Sequence, residues 1–191
     1  MNIYFFGGSF DPPHRGHLKM LQSCINDSHL FVLIPVSQSP FKDKVPVASK
    51  NQRIQMLELF TEKLESYIVI DNWEINQSGP SYTYETVRHL QKKYPGCNLS
   101  MVVGADQLIS FEKWKNYGEI MNSVRIVGFN RDQSQFIPLN GMQISWREDF
   151  QVDISSSVIQ DKIDNGRIPT EDLTPEIIEF IQENKLYGYQ V

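Results

Sequence analysis

Two histidines three residues apart, His14 and His17, follow a glycine pair in the segment Gly7-Gly8-Ser9-Phe10-Asp11-Pro12-Pro13-His14-Arg15-Gly16-His17. A spacing of three puts both imidazoles on one side of a first helical turn. With the helix dipole behind them, both rings could donate hydrogen bonds to a polyphosphate. Such a pair suits a reaction in which charge builds on a phosphoryl group. Glycines after a strand let the backbone approach a phosphate closely, and a helix start offers N–H groups to it. The segment is neither a GxGxxG fingerprint nor a P-loop, because no Gly-Lys-Ser/Thr follows. A metal site is weakly supported, since two histidines lack a third ligand nearby. The plain alternative is a pair of surface or helix-capping histidines.

A second candidate lies near the other end of the chain. Ile154-Ser155-Ser156-Ser157 closes a strand-like run and opens a helical one. Three hydroxyls at a helix start either cap its N–H groups or hold phosphate oxygens. An N-cap is the ordinary reading.

These segments need a scaffold. Short apolar runs at Asn2 to Phe6, Leu30 to Val36, Tyr67 to Asp71, Leu99 to Val103, Val124 to Phe129 and Ile144 to Val152 read as strands. Near-continuous apolar strands are buried on both faces, as in a parallel sheet. Helical patterns alternate with them. Leu18, Leu21 and Ile25 share one face. A helix follows a cap at Ser49 with Gln52 three residues on. Tyr82 to Tyr94 reads as a third helix, Ser156 to Asn165 as a fourth, and Thr174-Pro175-Glu176 opens a last one, with Leu173 and Ile177 placed as a hydrophobic staple. The pattern predicts an α/β fold with an open, mostly parallel sheet and helices on both faces, whose ligand site lies beyond the carboxyl ends of the strands.

The 191 residues carry a net charge of −5, with 40% hydrophobic and 21% charged residues. That suits one globular domain and argues against a protein that lives on DNA or RNA, which normally shows a basic balance. Anionic nucleotides would have to be held by local devices. Cys24 and Cys97 form no CxxC or Cys/His cluster and read as reduced thiols. The longest apolar run, Leu30 to Ile34, is too short to span a bilayer. No secretory signal is expected, so the cytoplasm is the default and no membrane partner is expected.

The Gly7 to His17 stretch resembles the HxGH signature of the nucleotidyltransferase superfamily, and the Ile154 to Ile159 stretch looks like its second ATP-binding signature. The tail, with Leu173-Thr-Pro-Glu and Lys185-Leu-Tyr-Gly, is similar to the C-terminal end of the nicotinate (nicotinamide) mononucleotide adenylyltransferases. The resemblance runs from Ile3 to Gly188 and is weak only at Asn130 to Arg147. It implies a Rossmann-like nucleotidyltransferase fold, a single domain over residues 1–191, and C-terminal helices (about 155–188) that complete the ATP site.

The implied reaction is adenylyl transfer from ATP to nicotinate mononucleotide, with Mg²⁺ bound along with ATP. Catalysis would fall to His14 and His17. ATP would be bound by Gly8, Ser9, Phe10, His14, His17, Gly104, Asp106, Ile154, Ser155, Ser156 and Ser157, and the mononucleotide by Lys42, Glu74, Tyr82, Thr83 and Trp114. Backbone N–H groups at the helix start in Gly79-Pro-Ser-Tyr82-Thr83 favour an anion, hence the pyridine carboxylate over a carboxamide. Trp114 offers a flat face to a pyridine ring. Asp11 and Asp106 are candidates for the water shell of the Mg²⁺.

One departure stands out. The family usually carries an arginine at the position of Gln160, where its charge meets the polyphosphate. Glutamine donates a hydrogen bond without charge, and Lys162 or Arg167 could substitute. Rival readings are another phosphorylated acceptor such as nicotinamide mononucleotide, a non-catalytic nucleotide-sensing module, and a synthetase-like tRNA enzyme. The acidic balance and short chain oppose the last. Assembly as a homo-oligomer is left open.

Overall fold

The first strand shows why the sheet lies at the centre. In β1 (Asn2–Gly8), Tyr4 and Phe6 point into one apolar cluster and Ile3 and Phe5 into another, on the opposite face. Successive side chains of a strand alternate in this way, so the run of four large apolar residues from Ile3 to Phe6 demands cover on both sides.

The computed structural model describes residues 1–38, 40, 45–64, 67–129, 137–147 and 154–190. Five further strands join the first: β2 (Leu30–Pro35), β3 (Ile68–Ile70), β4 (Asn98–Gly104), β5 (Arg125–Phe129) and β6 (Ile144–Arg147). Their order is β3-β2-β1-β4-β5-β6, and every pairing is parallel. All six expected strands are present. The third is shorter than expected, and the end of the sixth beyond Arg147 lies outside the described residues.

Helices cover both faces. Along the chain they are α1 (Arg15–Ile25), α2 (Lys50–Thr61), α3 (Thr83–Lys93), α4 (Ala105–Leu108), α5 (Tyr117–Ser123), α6 (Ser156–Asp164) and α7 (Pro175–Glu183). α1, α2, α6 and α7 send Leu21, Leu57, Ile159 and Ile177 into the cluster with Tyr4 and Phe6. α3 and α5 send Val87, Leu90 and Ile120 into the other. The predicted start of α2 is a capping box: the Gln52 N–H donates to Ser49 Oγ (3.3 Å) and the Ser49 N–H to Gln52 Oε1 (2.9 Å). Leu173 and Ile177, the expected staple around the α7 start, are both fully buried. The sequence pattern missed α4, α5 and the 3-10 turns over Phe111–Lys113 and Leu186–Gly188. Each is at most two turns long, too short to display a period of about 3.6 residues.

The strand order reverses between β1 and β4, which follow one another in space but not in sequence. Such a switch point leaves a crevice at the carboxyl ends of the two strands. Here those ends are Gly8 and Gly104. Among the described residues, no helix is long and apolar enough to cross a membrane.

Candidate active site

The Gly-Gly turn that leaves β1 is shaped by one ring. Phe10 adopts a left-handed backbone (φ 48°) and is 1% exposed. Its ring packs edge-on against Phe6 at 5.5 Å and lies flush on Gly8, where an added Cβ would come within 3.1 Å of Phe10 Cζ. A side chain at position 8 would have to push the Phe10 ring back by a few tenths of an ångström. A left-handed non-glycine residue is costly and persists only where its surroundings hold it.

The turn delivers the chain to α1. His14 is the residue just before the helix, with extended backbone (φ −146°, ψ 169°), and His17 is the third residue within it. The imidazoles stack at 3.6 Å with 22° between planes. The His14 N–H donates to Nδ1 of His17 (3.3 Å). An imidazole that accepts at Nδ1 carries its proton on Nε2, so His17 is set as a neutral Nε2–H donor. Phe10 and Phe6 brace the His17 ring edge-on at 5.1 and 5.6 Å. Both histidines line a cavity of about 680 Å³ at the carboxyl ends of β1 and β4.

The serine segment reaches the same cavity. Ser155 caps α6, accepting from the Val158 N–H (3.4 Å), and its hydroxyl lies 3.2 Å from that of Ser157. Ser156 Oγ donates to the Pro12 carbonyl (2.9 Å), fastening the α6 start to the histidine loop. The hydroxyls of Ser155 and Ser156 are thus engaged with protein. The anion-directed donors at this point are the first N–H groups of α6, which have no acceptor within their own helix. Gly8, Ser9, Phe10, Gly104, Asp106 and Ile154 complete this end of the wall.

At the other end of the cavity stand Glu74, Tyr82, Thr83 and Trp114. Tyr82 precedes α3 with extended backbone, and no side chain caps that helix. Trp114 leans on Phe111 at 5.3 Å. Lys42 lies outside the described residues.

Glu74 is enclosed rather than solvated. It is 5% exposed and accepts a short hydrogen bond from Thr86 Oγ1, while Oε2 has no partner among the described residues. Burial raises its pKa against the opposing effect of hydroxyls from Thr86 and Ser81. Nearby Asp71 behaves oppositely. Burial works against its ionisation, but hydrogen bonds from His89, the Trp73 N–H and Lys93 outweigh burial and hold it below the usual aspartate range.

Several readings need correction. Gln160 does not face the phosphate site: its Nε2 donates to the Asp11 backbone carbonyl (2.5 Å) and to Asp11 Oδ2 (3.1 Å). Lys162 and Arg167 do not replace a missing charge there. Lys162 Nζ pairs with Asp172 at 2.7 Å and Arg167 with Glu171 at 2.9 Å, and neither lines the cavity. Asp11 is unsuited to a metal's water shell. It is 4% exposed and its carboxylate takes four protein donors: the Val47 and Ala48 N–H groups, the Gln160 amide and the Tyr187 hydroxyl. Among the described residues no cluster of three His, Cys, Asp or Glu side chains could hold a metal ion. The carboxylates on the described cavity wall are those of Glu74 and exposed Asp106.

Two contributors were missed. Lys115 places its ammonium 4.4 Å from the Tyr82 ring centre, on the acceptor end of the wall. Arg53, 1% exposed, donates to the carbonyls of Ser9 (2.8 Å) and Val36 (2.7 Å) behind the glycine turn. Its sequence signal was a cation on the same helical face as Met56, Leu57 and Phe60.

A family model described as cytidylyltransferase-like matches residues 5–162. The chain is 32% identical over 188 residues to a probable nicotinate-nucleotide adenylyltransferase of Methylacidiphilum infernorum, covering 97% of this chain and 91% of that one. It is 34% identical over 191 residues to one from Bacillus licheniformis, covering 97% of each. Among solved structures, Plasmodium falciparum nicotinic acid mononucleotide adenylyltransferase complexed with NaAD superposes with a TM-score of 0.83 at 17% identity, over 99% of this chain and 98% of that one. A putative nicotinate-nucleotide adenylyltransferase from Vibrio parahaemolyticus gives 0.75 at 19% identity, over 100% and 98%. At those identities the two structures establish the fold.

Proposed function

The chain belongs to the nicotinate-nucleotide adenylyltransferases of the cytidylyltransferase-like family, and from that premise we propose how the cavity at the ends of β1 and β4 divides the work. The reaction is adenylyl transfer from ATP to nicotinate mononucleotide, giving nicotinate adenine dinucleotide and pyrophosphate for NAD biosynthesis. The NaAD of the Plasmodium structure is the product of that reaction.

A phosphate oxygen of the mononucleotide forms a bond to the α-phosphorus of ATP as the bond from that phosphorus to the pyrophosphate oxygen breaks. The attacking phosphate monoester is largely a dianion at neutral pH, because its second pKa is about 6. It carries its own electron pair, so no general base and no covalent nucleophile are required. What remains is alignment and charge neutralisation. His17 Nε2–H, the neighbouring His14 ring and the N–H groups at the start of α6 receive the ATP phosphates. The backbone of Ser9 and Phe10 lies alongside, and Gly104 and Asp106 wall the nucleotide. Of the cavity carboxylates, exposed Asp106 is the one that would face the water shell of a Mg²⁺ bound with ATP, which would supply screening of the triphosphate charge.

The acceptor end recognises the pyridine. Trp114 gives the ring a flat partner, and the uncapped start of α3 at Tyr82 and Thr83 supplies N–H groups for its carboxylate. Lys115 over Tyr82 adds positive charge there. Burial raises the pKa of Glu74 at this end, which lessens its tendency to ionise beside a bound carboxylate. The resemblance of the Pro35 to Lys42 stretch to the family's cation-tipped loop also assigns Lys42 to the mononucleotide. The two thiols, free in the structure, suit the reducing cytoplasm.

The observation that carries this reading is the convergence of the His14/His17 loop and the serine segment on a single cavity that also holds Trp114 and the α3 start. It is tested by a pyrophosphate-release assay with ATP and a panel of acceptors. Turnover with nicotinate mononucleotide well above that with nicotinamide mononucleotide and other phosphates is expected. ATP binding without pyrophosphate release from any of them would favour a nucleotide-sensing module instead.

A further inference from the structure

Behind the cavity, on the side away from substrate, three distant segments meet on one carboxylate. Asp11 Oδ2 accepts from the Val47 N–H (2.7 Å) and Gln160 Nε2 (3.1 Å). Asp11 Oδ1 accepts from the Ala48 N–H (3.1 Å) and the Tyr187 hydroxyl (2.8 Å). Gln160 also holds the Asp11 carbonyl, and Arg53 holds the Ser9 carbonyl two residues earlier. The left-handed Phe10 is therefore clamped from both flanks, and Phe10 is the residue whose ring braces His17.

The Tyr187 end is itself unusual. Tyr187 and Lys185 both adopt left-handed backbones (φ 56° and 50°) in the last turn of the chain. Neither is a glycine, so the conformation costs energy that something must offset. Its outcome is a phenol, 5% exposed, aimed at Asp11. Burial and the facing carboxylate keep that phenol protonated, well above the ordinary tyrosine range, so it serves as a donor.

We infer that Tyr187 and Gln160 are positioning residues for ATP: by gripping Asp11 they fix the glycine turn and the start of α1 against the start of α6, setting the histidine donors at the distance the triphosphate requires. Neither residue lines the cavity. Both act through Asp11. Gln160 thereby has a use that needs no charge, which accounts for a glutamine where the family's arginine usually stands. A displacement of about 1 Å in such a constellation can cost on the order of 10²-fold in rate, so the loss of one anchor out of four should be partial rather than complete.

The inference rests on the adenylyltransferase reading, and the test separates the two. Tyr187→Phe, Gln160→Met and Gln160→Arg are compared with wild type in steady-state pyrophosphate release, each at a temperature well below its own Tm. Tyr187→Phe and Gln160→Met should raise KM for ATP about tenfold while KM for nicotinate mononucleotide stays within twofold. Gln160→Arg keeps donors for Asp11 and should restore KM for ATP to within about threefold of wild type. A merely structural role would lower Tm and the active fraction and leave both KM values in place. An unchanged KM for ATP, or an equal rise in both KM values, overturns the inference. An inactive wild type would instead remove the adenylyltransferase reading, and with it this one.

Discussion

The two ends of the cavity are built by different means. At the triphosphate end the structure is stitched by hydrogen bonds between segments far apart in sequence. Ser156 holds Pro12, Gln160 and Tyr187 hold Asp11, and Arg15 donates through its backbone N–H to Asp172 and through Nε to Leu173. At the acceptor end rings and cations stand beside the Glu74–Thr86 pair: Tyr82, Trp114 against Phe111, Lys113, and Lys115 over Tyr82. The contrast follows from the chemistry. Stabilising charge on a transferring phosphoryl group needs donors fixed before the reaction begins. Holding a pyridine needs a flat surface and one favourable charge, which tolerates looser construction.

The sharpest break of this contrast is at His17. His17→Ala removes one placed donor and should lower kcat on the order of 10²-fold with an unchanged fold by circular dichroism. Near-normal turnover would remove His17 from the mechanism. Next in size is Trp114→Ala, which should raise KM for nicotinate mononucleotide about tenfold through lost stacking and leave KM for ATP within twofold. A shift in the ATP value of equal size would mean that the two ends are not separable.

The smallest effect concerns Glu74. Burial raises its pKa, so the folded protein keeps this proton at pH values where the unfolded chain has lost it. Its contribution to stability is therefore greatest at low pH. It is lost as pH rises from the ordinary glutamate range through the raised value. Glu74→Gln does not titrate, so its Tm relative to wild type should climb across that window. A difference that stays flat with pH would show that Glu74 is not a strained carboxyl.

The same contrast explains what the sequence disclosed. The Gly7 to His17 motif, the Ser49 box and the α6 start were legible because each is a local pattern whose partners lie within a few residues. The β1 and β4 runs were legible because both faces of each are apolar. Asp11, Arg53, Gln160 and Tyr187 were not readable as a group, since their meaning lies in contacts such as Asp11 with Tyr187, 176 residues apart. Gln160 was expected near phosphate because the resembling family carries at that position an arginine that meets the polyphosphate. Its side chain instead turns back to Asp11, a matter of rotamer and neighbour that no spacing rule encodes. Glu74 was compatible with a solvated strand end until the fold placed it under Thr86.

The claim on which the rest depends is that the beginning and the end of the chain grip one triphosphate. Ser156→Pro tests it directly. Proline suits the first position of a helix, and extended Ser155 (φ −135°, ψ 150°) can precede it, so α6 should form while one of its anion-directed N–H groups is gone. Calorimetric titration of a non-hydrolysable ATP analogue into wild type, Ser156→Ala and Ser156→Pro separates the N–H from the hydroxyl. The account predicts that Ser156→Pro binds the analogue about tenfold more weakly than Ser156→Ala. Equal affinity in the two variants would contradict it.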